Sequence, residues 1–249
     1  MLDVIYWIIP LSILAGFITS VAGGGGILFV TTATAFGLDP LNAMALNRIT
    51  DIGVICGSLG NYRRVPEVPL KEIVRFIPLT LFGAVIGANF VVELSDTYLQ
   101  ALIVGAAIFA IIITAVQPKP IQSSSNNVIF IGYVIIACVG LWEGMIAMAG
   151  ATLFILAVHY FFNLDYLKAR VVQMYTAIPE TLISAGILTM HSTVNLKLGL
   201  IAYFSATIGA FLGSKMVVAG GQSYIRVGVM GVSLLMVTKL ILIDWLHLF

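Results

Sequence analysis

The stretch "TSVAGGGGILFV", residues 19–30, places four consecutive glycines inside an apolar run. A glycine in the interior of a helix costs about 1 kcal/mol relative to alanine, so four in succession predict that a helix breaks here. A helix that starts again after the break would direct backbone N–H groups and the positive end of its dipole toward an anion. The alternative is close packing of helices, because small residues let two backbones approach each other.

The composition indicates that lipid is the solvent of this chain. Of its 249 residues, 60% are hydrophobic and 9% are charged, whereas soluble domains carry about 25% charged residues. The apolar runs are continuous rather than alternating, which favours helices over a β-barrel. We therefore expect an all-α polytopic membrane protein. The net charge of +1 indicates no nucleic-acid partner, and the two cysteines lack metal-ligand spacing, so no metal or cofactor is predicted.

The chain contains an internal repeat. When it is aligned with itself at a spacing of 126 residues, without gaps, Thr50 meets Thr176 and Gly83 meets Gly209. Weak internal repeats of this kind are frequent in transporters. We therefore expect a first transmembrane repeat at residues 1–117, a cytoplasmic linker at 118–127 and a second transmembrane repeat at 128–249.

Each unit is predicted to contain five apolar segments, about ten in all. The segments lie at 4–22, 26–37, 43–61, 73–92 and 98–117 in the first unit, and at 128–147, 150–162, 168–187, 199–218 and 224–243 in the second. The second segment of each unit is too short to cross a membrane alone, because a spanning helix needs about 20 residues. These short segments are expected either to cross part of the membrane or to form re-entrant segments.

The basic residues indicate that the second unit is inverted relative to the first. Positive charges concentrate on cytoplasmic loops. Loop 61–72 carries three basic residues and its counterpart 187–197 carries one, whereas loop 37–42 carries none and its counterpart 163–170 carries Lys168 and Arg170. This swap predicts that both termini lie outside the cytoplasm. In this interpretation Arg170 is a topology anchor near the membrane surface.

Ionisable residues inside the third segment are candidates for function. The stretch "LNRITD" contains Asn47, Arg48 and Asp51. Arg48 and Asp51 are three residues apart, so they share a helix face and could form an ion pair. Charged residues at membrane depth are expensive and are usually functional. The alternatives are that Arg48 snorkels to the surface or only forms a structural pair with Asp51.

The second unit offers its own polar residues at equivalent depth. Its counterpart of the glycine run is "AMAGAT", residues 147–152, and "VQMYTAIPE" carries Gln173 and Glu180. Glu143 lies in the sixth segment. Burial favours the protonated form of a carboxyl group, so Glu143 or Glu180 could carry a proton, although a structural hydrogen bond is an equal alternative.

The first unit contains "AGFITSVAGGGGILFV", followed by "FGLDPLNAMALNR" and "GSLGNYRR". These stretches resemble the first repeat of the TauE/SafE family of sulfite exporters. In the second unit, "GLWEGMIAMAGATLFILA" is similar to the second break of the family, with Ala147, Met148 and Ala149 in place of a Gly-Pro-Gly. The resemblance covers nearly the whole chain.

The resemblance implies an inner-membrane carrier for sulfite or sulfonates, in which the two breaks meet at the centre. The first break keeps its glycines, so it is expected to supply more of the backbone donors. The predicted substrate-binding residues are Gly23, Gly24, Gly25, Gly26, Asn47, Arg48, Thr50, Gly150, Thr152, Gln173 and Thr176. The predicted proton-coupling or charge-pair residues are Asp51, Glu143 and Glu180.

The sequence therefore predicts a secondary transporter rather than an enzyme. We expect an exporter of a small sulfur-containing anion that works by alternating access within the lipid bilayer, with a glutamate that could couple it to protons. Two alternatives remain open. One is an intramembrane enzyme or redox component, and the other is an uptake carrier for another small organic anion. The sequence specifies no oligomeric state.

Overall fold

A computed structural model describes residues 2–116, 126–146 and 148–220, and every regular element within these ranges is an α-helix. The nine helices are α1 (Leu2–Ala22), α2 (Gly25–Ala35), α3 (Pro40–Tyr62), α4 (Leu70–Val92), α5 (Asp96–Val116), α6 (Asn126–Ile146), α7 (Gly150–Phe162), α8 (Tyr166–Met190) and α9 (Leu196–Gly220). Most of the predicted linker 118–127, the predicted last segment 224–243 and the C-terminal end lie outside the described residues.

The nine helices correspond to the first nine predicted segments, with ends that differ by up to three residues. Local chemistry accounts for the earlier starts. Pro40 opens α3, because its fixed φ suits the first turn and its missing N–H would have no partner there. Asp165 caps α8 by accepting a hydrogen bond from the backbone N–H of Lys168 at 2.8 Å. Apolar periodicity alone places these starts too late.

The protein is a multi-pass membrane protein. Among the described residues, four helices are long and apolar enough to cross a bilayer, namely Leu70–Val92, Asn127–Ile146, Tyr166–Met190 and Leu196–Gly220. Exposed apolar side chains recur at helical spacing along α4, as at Val74, Phe82 and Phe90. Side chains of this kind on one helix face are suited to lipid contact.

The two polar helices α3 and α8 lie against each other inside the bundle, and α9 and α4 pack on them. Asn42, near the start of α3, donates a hydrogen bond to Thr193, just beyond the end of α8, at 3.0 Å. Glu67, beyond the end of α3, pairs with Lys168 at the start of α8 at 3.1 Å. The two helices therefore run antiparallel.

Two further helix pairs, α1 with α9 and α4 with α6, also pack extensively against each other. They pack closely through small residues. A Cβ atom built on Gly209 would lie 2.0 Å from the carbonyl oxygen of Ile13, and one on Gly83 would lie 2.5 Å from the backbone nitrogen of Leu141. Small residues of this kind let helix backbones approach in lipid, where apolar burial does not drive association.

The short helices α2 and α7 begin inside the protein. They have 11 and 13 residues, which at 1.5 Å per residue gives about 17 and 20 Å. Neither length crosses a hydrocarbon core of about 30 Å. Helix α2 packs on α1 and α3, and α7 packs on α6 and α8, so the N-terminal ends of both are held within the bundle.

Candidate functional site

The first break lies between α1 and α2, at the glycine run. Gly23 has φ +88°, a conformation that side chains other than glycine rarely adopt. A Cβ on Gly23 would also lie 2.7 Å from the Cβ of Ala151 and from the nitrogen of Thr152. The Thr152 hydroxyl donates to the carbonyl of Ala22 at 2.8 Å. The first break is therefore in direct contact with the start of α7, where the second break ends.

The carbonyl groups at the end of α1 accept hydrogen bonds from Arg170, and that of Thr19 also keeps its helical bond from the Gly23 N–H at 2.9 Å. The Arg170 Nε donates to the carbonyl of Ser20 at 3.1 Å, and its Nη2 donates to that of Thr19 at 2.6 Å. Tyr62 also donates to Ser20, and the remaining Arg170 nitrogen donates to Gln173. A guanidinium at a helix C-terminus satisfies carbonyl acceptors and the negative end of the dipole. Arg170 therefore caps the broken helix.

The second break lies between α6 and α7. Ala149 precedes α7 with φ 58° and provides no side-chain cap. The Trp142 indole donates to the carbonyl of Met148 at 2.9 Å. The carboxylate of Glu143 lies against the first residue of α7, since a Cβ on Gly150 would be 2.4 Å from Glu143 Oε1. Only glycine permits this approach, which places a negative charge at the N-terminal end of α7.

Arg48 is 1% exposed and lies between two carboxylates. Its Nη1 is 3.3 Å from Glu143 Oε2 and 3.7 Å from Asp51 Oδ2. The expected Arg48–Asp51 pair is therefore present, and Asn47 also donates to Asp51 at 3.2 Å. The Arg48 Nε and Nη2 atoms are buried and have no hydrogen-bond partner among the described residues. A buried donor without a partner costs about 1–3 kcal/mol, so Arg48 has unused hydrogen-bonding capacity.

A cavity of about 440 Å³, counting the space at its mouth, lies between the two breaks. Its charged lining residues are Arg48, Arg170, Asp51, Glu143 and Glu180. Arg170 is hydrogen-bonded to the end of α1. Among the described lining residues, Arg48 is therefore the cation that remains to balance the three carboxyl groups. The lining of the cavity therefore carries more carboxyl groups than unengaged cations.

The structure brings only some of the predicted binding residues to this cavity. Those that line it are Gly23, Gly26, Arg48, Asp51, Glu143, Gln173 and Glu180. Those that do not line it are Gly24, Gly25, Asn47, Thr50, Gly150, Thr152 and Thr176. The hydroxyls of Thr50 and Thr176 donate to carbonyls of their own helices, at 2.6 and 2.9 Å from the nearer oxygen. Their matched positions in the repeat therefore have a local structural explanation.

Sequence reasoning missed Arg170. It was treated as a topology anchor because it follows Lys168 near the start of a segment, but its side chain is 1% exposed and lines the cavity. One signal could have identified it. Arg170, Gln173 and Glu180 follow one face of α8, so the helical period that groups the two predicted residues also includes the arginine.

The family-model comparison covers almost the same residues as this bundle. The model for "Sulfite exporter TauE/SafE" matches residues 8–240. The chain belongs to the TauE/SafE family. No solved structure matches the chain with statistical significance.

Relatives in the family carry general transporter names. The chain is 26% identical over 233 residues to "Probable membrane transporter protein YfcA" of Escherichia coli strain K12, with 92% of this chain and 87% of the relative covered. It is 23% identical over 231 residues to "Probable membrane transporter protein ORF9" of Sinorhizobium sp, with 92% and 88% covered. Membership of this family makes the protein a membrane transporter with a small-molecule substrate.

Proposed function

We propose that this TauE/SafE protein is a secondary transporter that exports a small sulfur-containing anion, such as sulfite or an organosulfonate, across the inner membrane. One observation carries the proposal. Arg48 is buried at the cavity between the two breaks, and its Nε and Nη2 atoms have no partner among the described residues. A planar guanidinium binds oxyanions through two parallel hydrogen bonds, so an anion with several oxygens satisfies these donors.

The glycine break supplies the second part of the proposed anion site. Gly23 and Gly26 line the cavity beside Arg48, and α2 begins at Gly25 without a side-chain cap. The N-terminal end of a helix is favourable for an anion because of its N–H groups and its dipole. Gln173, also at the cavity, would add a hydrogen bond from its amide. In this proposal the first unit contributes most of the backbone donors.

Alternating access follows from two units, residues 1–117 and 128–249, that move against each other. Three observations support this arrangement. Helices α3 and α8 begin at Pro40 and Tyr166, and α4 and α9 begin at Leu70 and Leu196, each pair 126 residues apart. The equivalent helices α3 and α8 run antiparallel, as an inverted repeat requires. By the repeat, α1 is equivalent to α6 and α4 is equivalent to α9. The α1–α9 contact of one unit with the other is therefore matched by the α6–α4 contact.

The orientation in the inner membrane is part of the same proposal. Both termini would lie outside the cytoplasm, with the linker 118–127 inside. Arg63 and Arg64 are exposed in the loop after α3 and support its cytoplasmic position. Arg170 no longer contributes to this argument, because it is buried. Lys168, which is partly exposed, remains as a cytoplasmic charge of the second unit.

The test is sulfite and methanesulfonate transport in proteoliposomes. Arg48→Lys keeps the positive charge opposite Asp51 and Glu143 but removes the planar fork. We expect it to lower the transport rate at least about tenfold, the effect of roughly 1.4 kcal/mol, while the protein elutes as folded wild type in size-exclusion chromatography. Arg64→Lys, at an exposed loop position, is the matched control. Transport by Arg48→Lys at the control rate would exclude Arg48 as the anion ligand.

A further inference from the structure

Glu143 places a carboxylate where an anion is stabilised, beside Arg48 and the start of α7. Its Oε2 lies 3.3 Å from Arg48 Nη1. The same carboxylate lies against Gly150, the first residue of α7. A buried guanidinium and the N-terminal end of a helix are the two features that favour an oxyanion here, and one carboxylate of the protein engages both. Glu143 therefore competes with a substrate anion for Arg48.

An incoming anion cannot simply join the two carboxylates already at Arg48. Asp51 lies 3.7 Å from the same Nη1 atom. A third negative group around one guanidinium would meet like charges at close range, in surroundings where water screens them weakly. Anion binding at Arg48 is therefore more favourable when one carboxylate leaves or takes up a proton.

The geometry distinguishes the two carboxylates. Asp51 and Arg48 belong to the same helix, three residues apart, so their pairing persists when α3 moves. Glu143 belongs to α6, and its contact with Arg48 joins helices on opposite sides of the predicted linker. Relative motion of the two units would separate Glu143 from Arg48 and leave the Asp51 pair in place.

From this arrangement we infer that Glu143 is a tethered anion that the substrate displaces from Arg48, and that the displaced carboxylate takes up one proton. The inference rests on the proposed anion transport and specifies its coupling. One monoanion and one proton enter the site together, so the charge of the site is unchanged by binding. The proton bonds to a Glu143 oxygen, because a buried carboxylate that has lost its cation is more stable in the neutral form.

Other charged groups face Glu143 across the cavity and have different partners. Asp51 keeps its contact with Arg48 on α3. Arg170 on α8 is bound to the carbonyls at the end of α1. Glu180, also on α8, lines the cavity and is hydrogen-bonded to Thr80 of α4. The lining of the cavity takes no titratable side chain from α4 or α7 in the part of the chain that the structure describes.

The experiment measures methanesulfonate binding to the purified full-length protein by calorimetry. This probe stays a monoanion over the working pH range, so any pH dependence belongs to the protein. Titrations in two buffers of different ionisation enthalpy count the protons taken up. For the wild type we expect about one proton per anion, and an affinity that falls about tenfold for each pH unit of increase, because the uptake of one proton per anion sets that slope.

Two variants isolate the role of Glu143. Glu143→Gln is expected to bind methanesulfonate without proton uptake, independently of pH, and at least about tenfold more tightly than the wild type at high pH. Asp51→Asn removes the other carboxylate next to Arg48 and is expected to retain the uptake of one proton. Retention of the pH dependence in Glu143→Gln, or loss of it only in Asp51→Asn, would overturn the inference.

The wild-type proton count can overturn the inference even if Glu143→Gln does not fold. Binding of methanesulfonate without proton uptake would overturn the role of Glu143 and leave the proposed anion site standing. Binding to none of the three proteins would overturn the anion site, and the inference with it. The failure of the coupling and the failure of the proposed function are therefore distinguishable.

Discussion

Two buried arginines border one cavity, and their partners determine their roles. Arg170 donates to the carbonyls of Thr19 and Ser20 and to Gln173, so its donors are engaged by the fold itself. Arg48 contacts carboxylates through one nitrogen and keeps Nε and Nη2 without partners among the described residues. The difference makes Arg170 a structural residue of the break and Arg48 the candidate ligand.

This assignment predicts a stability effect for Arg170. Arg170→Met keeps an apolar side chain of similar length but leaves the Thr19 carbonyl without its side-chain donor. We expect the free energy of unfolding to fall by roughly 2–4 kcal/mol, because charge-assisted hydrogen bonds to buried carbonyls are lost. Unfolding in increasing sodium dodecyl sulfate, followed by tryptophan fluorescence, measures the change.

Arg75→Met is the control for this variant. Arg75 is exposed and has a long 3.4 Å contact with the Tyr133 hydroxyl, so its loss should change the free energy of unfolding by less than about 0.5 kcal/mol. Equal stability of Arg170→Met and Arg75→Met would show that Arg170 does not hold the end of α1.

The two broken helix pairs differ in how their ends are stabilised. The end of α1 is capped by side chains from the other half of the chain, Arg170 and Thr152, together with Tyr62. The start of α7 has Glu143 beside it. The breaks therefore match in position but not in chemistry. The small residues of the second break fit this difference. Gly150 leaves room for the Glu143 carboxylate, which a Cβ atom at that position would displace.

Gly23→Ala tests the geometry of the first break. The φ of +88° and the 2.7 Å approach to Ala151 both oppose a side chain, so we expect a loss of about 1–3 kcal/mol of stability and reduced transport. Gly60→Ala is a matched control within α3, since a Cβ there would contact nothing within 4 Å. It should be neutral or stabilising by up to about 1 kcal/mol. If thermal unfolding gave equal midpoints for the two variants, the claim that the first break requires glycine at position 23 would be contradicted.

Contacts between the two halves of the chain occur at both ends of the α3–α8 pair. Asn42 meets Thr193 at one end and Glu67 meets Lys168 at the other. The repeat spacing relates Asn42 to Lys168 and Thr193 to Glu67, so the two contacts occupy equivalent positions with the halves exchanged. Each is exposed and contributes little stability. Such contacts suit surfaces that would separate and close in the proposed alternating access.

Cross-linking tests whether these contacts must open. In a background with Cys56→Ser and Cys138→Ser, we introduce either Asn42→Cys with Thr193→Cys or Glu67→Cys with Lys168→Cys. A short reducible bifunctional thiol reagent should block transport in proteoliposomes for both pairs, and reduction should restore it. The single-cysteine variants, treated with the same reagent, are the controls. Transport at the control rate by a fully cross-linked pair would contradict opening at that end.

The helices follow from the sequence because their signals are local. Apolar length, Pro40 at the start of α3 and the glycine run each act over one or two helical turns. The Arg48–Asp51 pair was also predictable, since three residues of helix bring the two side chains together. Low charge and long apolar runs likewise determined the membrane environment, because lipid leaves backbone groups no partner outside the helix.

The roles of the charged residues were decided only by the tertiary structure. Nothing local to Arg170 shows that its guanidinium reaches Thr19 and Ser20, which are 151 and 150 residues away in the chain. The approach of Glu143 to Arg48 and Gly150 likewise depends on how α6, α7 and α3 pack. Electrostatic interactions and hydrogen bonds depend on distance in space rather than on sequence separation. The packing of the two halves therefore decides which arginine is engaged by the fold and which, among the described residues, keeps donors without partners at the cavity.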